Sequence, residues 1–591
     1  MVKLRQLFSL LAVVVSVSLC ACEDYKNTSL PAETRAADLV SRMTLDEKIG
    51  QMTQMANYAA APDKISKLFL GSVLSGGGGA PGQNTPDGWR TMVNAYQKAA
   101  LSTRLGIPIL YGNDSVHGQG NLHNATVFPH NIGLGAAHDE RLAEAVGKAA
   151  AEETAACGIT WSFSPCVAVL ADARWGRAYE SFGSDTQLVS LLGTAYIRGF
   201  QSVQGMNATA KHYLGDGGTA FGSSHGKNFT GRYLLDQGDT QCTEAYLREQ
   251  YLPPYREAVK AGVRVVMASF SSWNGTKMHA NSYLINDVLK GELGFTGFVV
   301  SDWAGIYQID SDYYKAVVTS INAGIDMNMA PEDGERFIKT VKSAVQKKDI
   351  SMERINNAVY RILLVKFQSG IFEHPYADVS YLKTVRNSDH IALARKAASE
   401  SAVVLKNSGI LPLEKSEKLY VCGTGADDIG RQCGGWTMTW QGKEGNITAG
   451  VTLKQALEQR GKDIVYAADG KFNNADRDAA CIVVVSEKPY AEGVGDRHDL
   501  RLDDEEYAVY KRAASKFGRI ILVVLSGRPV ELGAMNDTAS AVVAAWLPGS
   551  EGGDGIADIL LGDVRPSAKL PVVWPADENK ALYERGAGLS W

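Results

Sequence analysis

Two apolar, β-branched runs that each lead into a carboxylate constrain this chain more than any other feature. The first run, residues 297–301, is followed directly by Asp302 and Trp303, and the second, residues 482–486, leads through acidic and aromatic residues to Glu492. Both runs are typical of buried parallel strands, and ligands bind at the carboxyl ends of such strands. Two carboxylates beside Trp and Tyr predict a site for sugar hydrolysis, with a nucleophile, a proton donor and flat apolar faces for the sugar ring.

Length and charge limit the classes of protein to consider. At 591 residues the chain is too long for one hydrophobic core, so two domains are expected. It has 60 basic and 65 acidic side chains and a net charge of −5, which gives no reason to expect a nucleic-acid partner. The glycine run 76–79 reads as a flexible loop without the pattern of a phosphate loop, and the cysteines show no zinc-binding spacing. We therefore expect no cofactor and no metal.

The N-terminus predicts export. Lys3 and Arg5 precede an apolar run, residues 7–19, that is too short to span a bilayer comfortably. Small residues then lead into Cys22, which resembles a bacterial lipoprotein signal with Cys22 as the lipidated first residue; an ordinary signal-peptidase site is the alternative. Residues 1–22 are thus predicted to be a signal peptide, and the protein to be periplasmic or anchored to the outer membrane of a Gram-negative-type bacterium.

Residues 23–372 alternate short apolar runs with amphipathic helical patterns. Eight candidate strands lie at residues 68–74, 107–111, 132–136, 159–163, 208–212, 263–270, 297–301 and 324–329. Eight strand–helix units predict a (β/α)₈ TIM-like barrel.

A second α/β alternation follows a stretch without periodicity, residues 373–395, which we interpret as a linker. Its candidate strands lie at residues 402–405, 419–422, 464–467, 481–485, 520–525 and 541–545. Residues 396–591 are therefore predicted to form an open, mostly parallel α/β sandwich domain rather than a second barrel.

Polar residues cluster where the predicted barrel strands end. Asp114, Lys211, His212 and Asp302 would all face the same rim, joined by the arginines of the segment 174–177. Such a set of charges can hold the several hydroxyls of one sugar through charge-assisted hydrogen bonds.

Structural alternatives exist for part of this set. Lys211 and His212 could be a structural pair buried against Asp216, and Arg174 could form a salt bridge with Glu180.

An ordered series of motifs gives the chain a specific resemblance. The motifs are Arg174-Trp-Gly-Arg177 with Glu180-Ser-Phe-Gly, Lys211-His212-Tyr-Leu-Gly-Asp-Gly-Gly, Gly297-Phe-Val-Val-Ser-Asp302-Trp, Gly434-Gly-Trp436-Thr-Met-Thr-Trp440-Gln-Gly, Glu487-Lys-Pro-Tyr-Ala-Glu492, Ser526-Gly-Arg-Pro and Ala545-Trp-Leu-Pro-Gly. Together they resemble glycoside hydrolase family 3, in its two-domain β-glucosidase and exo-β-glucanase form, over nearly the whole chain after the signal.

The resemblance implies a role for each matching residue. Asp302 corresponds to the catalytic nucleophile and Glu492 to the acid/base on the second domain. The residues that correspond to those holding the nonreducing glucose are Asp114, Arg177, Lys211 and His212, and the indoles that sandwich the next sugar correspond to Trp303 and Trp440.

The chain departs from the family pattern in two places. The Arg that follows the nucleophile in that subgroup is replaced by the segment Ile306-Tyr307-Gln308, and the Glu after Thr219 by a segment that begins at Phe221. Both differences bear on the linkage preference.

The sequence as a whole predicts a retaining, exo-acting β-glycosidase that removes terminal β-glucose from β-linked oligosaccharides or polysaccharides. Within the enzyme class the alternative is a β-xylosidase or another exo-glycosidase of the same family. Outside it, the alternative is an inactive glycan-binding lipoprotein. Glu487 competes with Glu492 for the acid/base role because it lies in the same motif.

The lipoprotein hypothesis predicts the behaviour of Cys22→Ala. We expect this variant to be released from the membrane fraction with unchanged activity, because Cys22 precedes the first predicted barrel element. Fractionation and mass spectrometry of the N-terminus measure both properties. A wild-type protein that is fully soluble with an unmodified N-terminus would contradict the hypothesis.

Overall fold

The structure is a computed structural model that describes residues 23–228, 231–414, 418–577 and 580–591. The predicted signal peptide and Cys22 lie outside the described residues. Within the described part of the chain, none of the helices combines the length and the apolar character that crossing a membrane requires.

Eight parallel strands form the barrel predicted for the first domain. They are β1 (Thr53–Ala56), β2 (Ser72–Ser75), β3 (Leu110–Asn113), β4 (Trp161–Ser162), β5 (Thr209–Tyr213), β6 (Val265–Ala268), β7 (Phe298–Val300) and β8 (Asn328–Met329). Hydrogen-bonded ladders join β8 to β1, then β1 through β4, and separately β5 through β7. Single parallel bridges, Trp161 with Asn207 and Val300 with Met327, close the two remaining gaps. The (β/α)₈ prediction is confirmed.

Helices surround these strands. They are α1 (Ala32–Arg42), α2 (Leu45–Gln51), α3 (Pro62–Leu68), α4 (Pro86–Leu101), α5 (Asn131–Ala137), α6 (Glu140–Ala156), α7 (Thr186–Gln201), α8 (Glu244–Gln250), α9 (Pro253–Lys260), α10 (Tyr313–Asn322), α11 (Gly334–Gln346) and α12 (Met352–Gln368), with a π-helical segment at Tyr283–Glu292. Side-chain carboxylates of Asp139, Asp185 and Asp312 accept hydrogen bonds from the first N–H groups of α6, α7 and α10. These caps fix where the three helices begin.

Two details of the predicted barrel are wrong. The predicted strand at 132–136 is helix α5, whose residues in this range are all buried, and a fully buried run of this length has no periodicity that separates a helix from a strand. Strand β1 is missing from the prediction because Thr53 and Gln54 leave only two apolar residues in it. Gln54 is nevertheless fully buried, since its amide donates to Ser72 Oγ of the next strand at 2.8 Å.

The second domain has a six-stranded sheet. Its strands are β9 (Val403–Asn407), β10 (Leu419–Cys422), β11 (Ile464–Ala467), β12 (Ala480–Ser486), β13 (Arg519–Leu525) and β14 (Ala541–Ala544). The order across the sheet is β9-β14-β13-β12-β10-β11, with β9 antiparallel to β14 and all other pairs parallel. The prediction of an open, mostly parallel sheet is confirmed.

Helices cover this sheet, and a hairpin follows it. The helices are α13 (Ser388–Ser401), α14 (Ile429–Cys433), α15 (Leu453–Gln459), α16 (Asp504–Ala514), α17 (Ala534–Thr538) and α18 (Gly552–Leu561), and the hairpin strands are β15 (Trp574–Asp577) and β16 (Lys580–Tyr583). Helix α13 begins inside the predicted linker 373–395, so the segment without an α-helix ends at residue 387.

The two domains share one apolar cluster. Trp175 and Tyr179 of the barrel loops pack in the same cluster as Trp436 and Trp546 of the second domain. Burial of aromatic surface from both sides holds the second domain against the carboxyl-end rim of the barrel. The cleft between the domains therefore lies directly above the strand ends.

Candidate active site

The barrel brings four of the predicted residues to one rim. Asp114 follows β3, Lys211 and His212 belong to β5, and Asp302 follows β7. Because the strands are parallel, their carboxyl ends meet at the same face of the barrel. The second domain covers this face and contributes Glu492 to it.

Arg177 is the centre of the site. Its Nη1 donates to Glu492 Oε1 of the second domain at 3.1 Å, and its Nη2 donates to Glu180 Oε2 at 2.9 Å. Nη2 also lies 3.2 Å from His212 Nε2. Only 5% of the Arg177 side chain is exposed, and the carboxylates around it raise its pKa against the effect of burial. One buried cation thus faces groups from both domains.

His212 is held as a neutral imidazole. Burial lowers its pKa well below the usual range, and the positive charges of Arg177 and Lys211 lower it further. Nδ1 lies 2.8 Å from Asp216 Oδ2, and the Arg177 contact on the other side requires Nε2 to accept. Nδ1–H therefore donates to Asp216. The structural contact with Asp216 is thus present for His212, but not for Lys211.

Asp302 is almost enclosed. Its side chain is 13% exposed, Oδ1 accepts from the Trp303 N–H at 2.6 Å, and Oδ2 lies 3.8 Å from His212 Nε2. Burial raises the pKa of Asp302, and three groups oppose that rise: the Arg177 guanidinium, the Trp303 N–H and the Lys211 ammonium. The backbone N–H of Asp302 donates to His279 Nε2 at 2.9 Å, which fixes the start of the loop.

Glu492 approaches the same space from the second domain. It lies on the short turn Glu492–Gly495 with φ of 56° and a side chain that is 18% exposed. Burial raises its pKa to about 8 against the lowering effect of Arg177, and the charges of Asp236 and Asp302 contribute to the rise. A carboxyl in this environment is protonated at neutral pH and can donate a proton.

Asp114 and Lys211 have side chains that are free to bind a ligand. Neither side chain has a hydrogen-bond partner among the described residues, although Lys211 Nζ lies 5.5 Å from the centre of the Trp436 ring. Burial raises the pKa of Asp114 to about 6, opposed mainly by Lys211. Unpaired polar groups in a buried cleft are the ones that a sugar hydroxyl can satisfy.

Trp436 is a site residue to which the sequence analysis gave no role. Its indole N–H donates to Glu180 Oε1 at 3.1 Å, and only 5% of the residue is exposed. The ring also lies beneath Lys211 and, at 5.9 Å, Arg177. The motif 434–440 contains two tryptophans, Trp436 and Trp440, but nothing in the sequence indicates which of the two indoles faces the barrel cations.

The two predicted sugar-stacking indoles flank the glycine run 76–79. Trp303 is 37% exposed, and a Cβ on Gly76 would lie 3.2 Å from its ring. A Cβ on Gly77 would lie 2.8 Å from the Cα of Trp440. The run interpreted as a flexible loop is therefore packed between these two segments, and glycine is required for the close approach.

Glu487, the competitor of Glu492, is buried in a different set of contacts. Its Oε2 accepts from Tyr490 Oη at 2.8 Å and from the Gly527 N–H at 2.9 Å, and its Oε1 lies 3.2 Å from Arg528 Nε. Arg528 in turn donates to the Arg174 carbonyl of the barrel. These contacts give Glu487 a structural role at the domain interface.

Arg174 does not form the salt bridge suggested for it. Its guanidinium pairs with Asp172 at 2.7 Å, and Glu180 is occupied by Arg177.

One trio could be considered for a metal ion. Among the described residues, Cys166, His212 and Asp216 have ligand atoms that lie within 4.8 Å of one another. His212 Nδ1 is already bonded to Asp216, and burial raises the pKa of the Cys166 thiol, which disfavours the thiolate that binds metals. We interpret this trio as part of the pocket wall.

Known proteins share this architecture. A lysosomal β-glucosidase from Dictyostelium discoideum is 31% identical, with 95% of this chain and 76% of the relative covered. A β-xylosidase from Formosa agariphila is 29% identical over 93% of this chain and 74% of its own length. The crystal structure of an exo-1,3/1,4-β-glucanase from a Pseudoalteromonas species superimposes with a TM-score of 0.87 at 34% identity, covering 95% of this chain and 74% of that one.

Both domains match one family, in the family's order. Residues 44–365 match the glycosyl hydrolase family 3 N-terminal domain and residues 402–591 match its C-terminal domain. The barrel, the sheet domain and the charged cleft between them occur in a chain that belongs to glycosyl hydrolase family 3.

Proposed function

We propose that this glycoside hydrolase releases terminal nonreducing β-glucose by double displacement, with Asp302 as the nucleophile and Glu492 as the acid/base. The observation that carries the proposal is the placement of two buried carboxyls from different domains in one cleft, with different contacts. A backbone N–H opposes the rise that burial causes in the pKa of Asp302, whereas burial and neighbouring carboxylates raise the pKa of Glu492 to about 8. A retaining glycosidase requires one ionised and one protonated carboxyl, about 5–5.5 Å apart.

The first step forms a bond between Asp302 and the anomeric carbon. Glu492 gives its proton to the glycosidic oxygen as the bond to the leaving group breaks, so the aglycone departs neutral. In the second step Glu492, now ionised, takes a proton from water, and the water oxygen displaces Asp302. Arg177 faces both carboxylates and stabilises the negative charge that moves between them.

The unpaired side chains in the cleft support exo action. Asp114 and Lys211 have no hydrogen-bond partner among the described residues, so they are available to the hydroxyls of a single terminal sugar. Charge-assisted hydrogen bonds of this kind fix the orientation of the ring. We infer that Trp303, which is 37% exposed, and Trp440 hold the next sugar between their indole faces.

A β-xylosidase is the second candidate, because a relative with that activity covers 93% of this chain. Xylose lacks the hydroxymethyl group of glucose, so the choice depends on space near C6. An inactive glycan-binding protein is disfavoured because both carboxyls are present in the cleft.

The N-terminal sequence indicates where in the cell the protein acts. We propose that residues 1–22 direct export to the periplasm and that Cys22 carries a lipid anchor, on the pattern of the sequence alone.

A substrate panel tests the activity. With aryl β-glucoside, β-xyloside and N-acetyl-β-glucosaminide we expect kcat/KM to be at least about 10-fold higher for the glucoside, the range that one extra carbon in a fitted pocket supplies. The Asp302→Asn variant provides the blank for each substrate. A higher value for the xyloside would make the enzyme a xylosidase, and no turnover of any substrate would favour the glycan-binding alternative.

The nucleophile is tested by Asp302→Asn. We expect kcat to fall roughly 10⁴-fold or more with the fold retained, because removal of the nucleophile abolishes the two-step path. Asp310→Asn, an exposed aspartate on the same loop, should leave kcat unchanged. A 2-fluoro-glucoside should label the peptide that contains Asp302. Labelling of Asp114 or Asp326 instead would show that the assignment is wrong.

The acid/base is tested by Glu492→Ala. For a glucosyl disaccharide, whose leaving group needs a proton, we expect a loss of roughly 10²–10⁴-fold or more. The dinitrophenolate of a dinitrophenyl glucoside departs without receiving a proton, so the first step on this substrate should persist. Added azide should then restore turnover and give β-glucosyl azide. Glu487→Ala is the matched control: we expect it to lower stability without this pattern, since Glu487 binds Tyr490 and Gly527. Selective azide rescue of Glu487→Ala alone would reverse the assignment.

A further inference from the structure

A barrel aspartate contacts the turn that carries Glu492. Asp236 lies in the long loop after β5, is 5% exposed, and accepts two hydrogen bonds. Oδ2 accepts from the backbone N–H of Gly493 at 3.0 Å, and Oδ1 accepts from the indole N–H of Trp175 at 3.1 Å. The N–H of the residue that follows Glu492 in the chain is therefore bound by the barrel.

The backbone at Glu492 depends on such external contacts. Its φ of 56° is in the left-handed region, which is unfavourable for a residue with a side chain and persists only where the surroundings impose it. The turn is packed so closely that added side-chain atoms would overlap its neighbours. A Cβ on Gly493 would lie 2.3 Å from the Tyr233 ring, and one on Gly176 would lie 1.9 Å from the Glu492 carbonyl oxygen. Barrel residues thus enclose the turn on both sides.

The contact is reciprocal. Asp496, at the end of the same turn, accepts through Oδ2 from the N–H groups of Leu234, Leu235 and Asp236 at 2.9, 2.7 and 2.8 Å. Its Oδ1 accepts from the Gly176 N–H at 2.8 Å. Each domain therefore presents a carboxylate that binds the backbone of the other. Asp496 fixes the barrel loop that presents Asp236, and Asp236 fixes the turn that presents Glu492.

We propose that Asp236 is a positioning residue that aims the Glu492 carboxyl at the glycosidic oxygen by holding the Gly493 N–H. The proposal rests on the acid/base role of Glu492 proposed above. Asp236 has no contact with the sugar in this role and acts through Glu492 alone.

The charge of Asp236 adds an effect that a purely structural contact lacks. Asp236 faces Arg177, Asp496, Glu180 and the Trp175 N–H, and burial raises its pKa to about 7. Its negative charge is in turn one of the causes that raise the pKa of Glu492. An acid works only while protonated, so activity falls as the pH rises through the pKa of Glu492. Removing the charge at residue 236 lowers that pKa and moves the alkaline limb of kcat/KM to lower pH.

Asp236→Asn is the first test. An asparagine has one acceptor oxygen, so it cannot accept from both Gly493 and Trp175, and its NH₂ group opposes one of these donors. We expect kcat/KM for a glucosyl disaccharide to fall about 10- to 100-fold, the effect of a misplaced catalytic group, and the alkaline limb to shift to lower pH. The dinitrophenyl glucoside should lose much less in its first step, which also shows that the variant is folded.

A second variant separates position from charge. In Trp175→Phe/Asp236→Asn the indole donor is gone, so the asparagine oxygen is free to accept from Gly493 and the turn is held again. At a pH below the alkaline limb of the kcat/KM profile, we expect disaccharide turnover to be at least several-fold higher than in Asp236→Asn. The alkaline limb should still lie at lower pH than in the wild type, because the charge at residue 236 is still absent. Asp239→Asn is the matched control. This loop aspartate accepts from the Gly275 N–H and from the Gln241 amide, and among the described residues it makes no hydrogen bond with the Glu492 turn. Leaving-group dependence and pH profile should therefore not change.

The outcomes are distinct. If Asp236→Asn loses activity equally on both substrates with an unchanged alkaline limb, Asp236 is merely structural and the inference is wrong. Unchanged kinetics in Asp236→Asn would also overturn it. If Glu492→Ala itself shows neither the leaving-group dependence nor azide rescue, the failure belongs to the acid/base assignment rather than to Asp236.

Discussion

The buried guanidinium of Arg177 is the interaction on which the cleft depends. It pairs with Glu180 and Glu492 and lies beside His212, and only 5% of its side chain is exposed. Buried carboxylates are costly unless a cation and hydrogen bonds compensate them. Since Arg177 lowers the pKa of Asp302 and Glu492 alike, their difference must come from the rest of their surroundings: a backbone N–H for Asp302, and neighbouring carboxylates for Glu492.

Neither domain contains the site by itself. The barrel supplies Asp302 and the cation, whereas the second domain supplies Glu492 and the Trp436 indole that binds Glu180. A carboxyl that is carried on a separate domain has to be held in place by more than its own loop. The interface meets this requirement with polar contacts of fixed direction, such as the Arg528 guanidinium on barrel carbonyls, combined with a shared aromatic cluster. Directional hydrogen bonds of this kind specify position, while apolar burial supplies most of the free energy of association.

Much of the fold follows from local patterns in the sequence. Seven of the eight barrel strands and all six strands of the second sheet overlap their predicted ranges, because β-branched runs between helical periods mark buried parallel strands. The family and the glycosidase class are confirmed as well. Strand β1 is missing from the prediction because its first two residues are polar but buried, and α5 is predicted as a strand because a run that is buried throughout has no periodicity. Gln54 is buried through a hydrogen bond to Ser72, and α5 is enclosed on all sides. The catalytic roles of Asp302 and Glu492 remain predictions.

The sequence by itself determined which residues stand at strand ends: Asp114, Lys211, His212 and Asp302 are placed by the apolar runs that mark the strands and by the common direction of a parallel barrel. Only the tertiary structure decided what these residues contact. Arg177 meets Glu492 across 315 positions of sequence, and Asp236 meets Gly493 across 257. Local pattern carries no information on such pairs, because they depend on how the second domain docks on the rim. The proton affinities follow the same rule, since burial in the assembled cleft, and not residue type, raises the pKa of Glu492 to about 8.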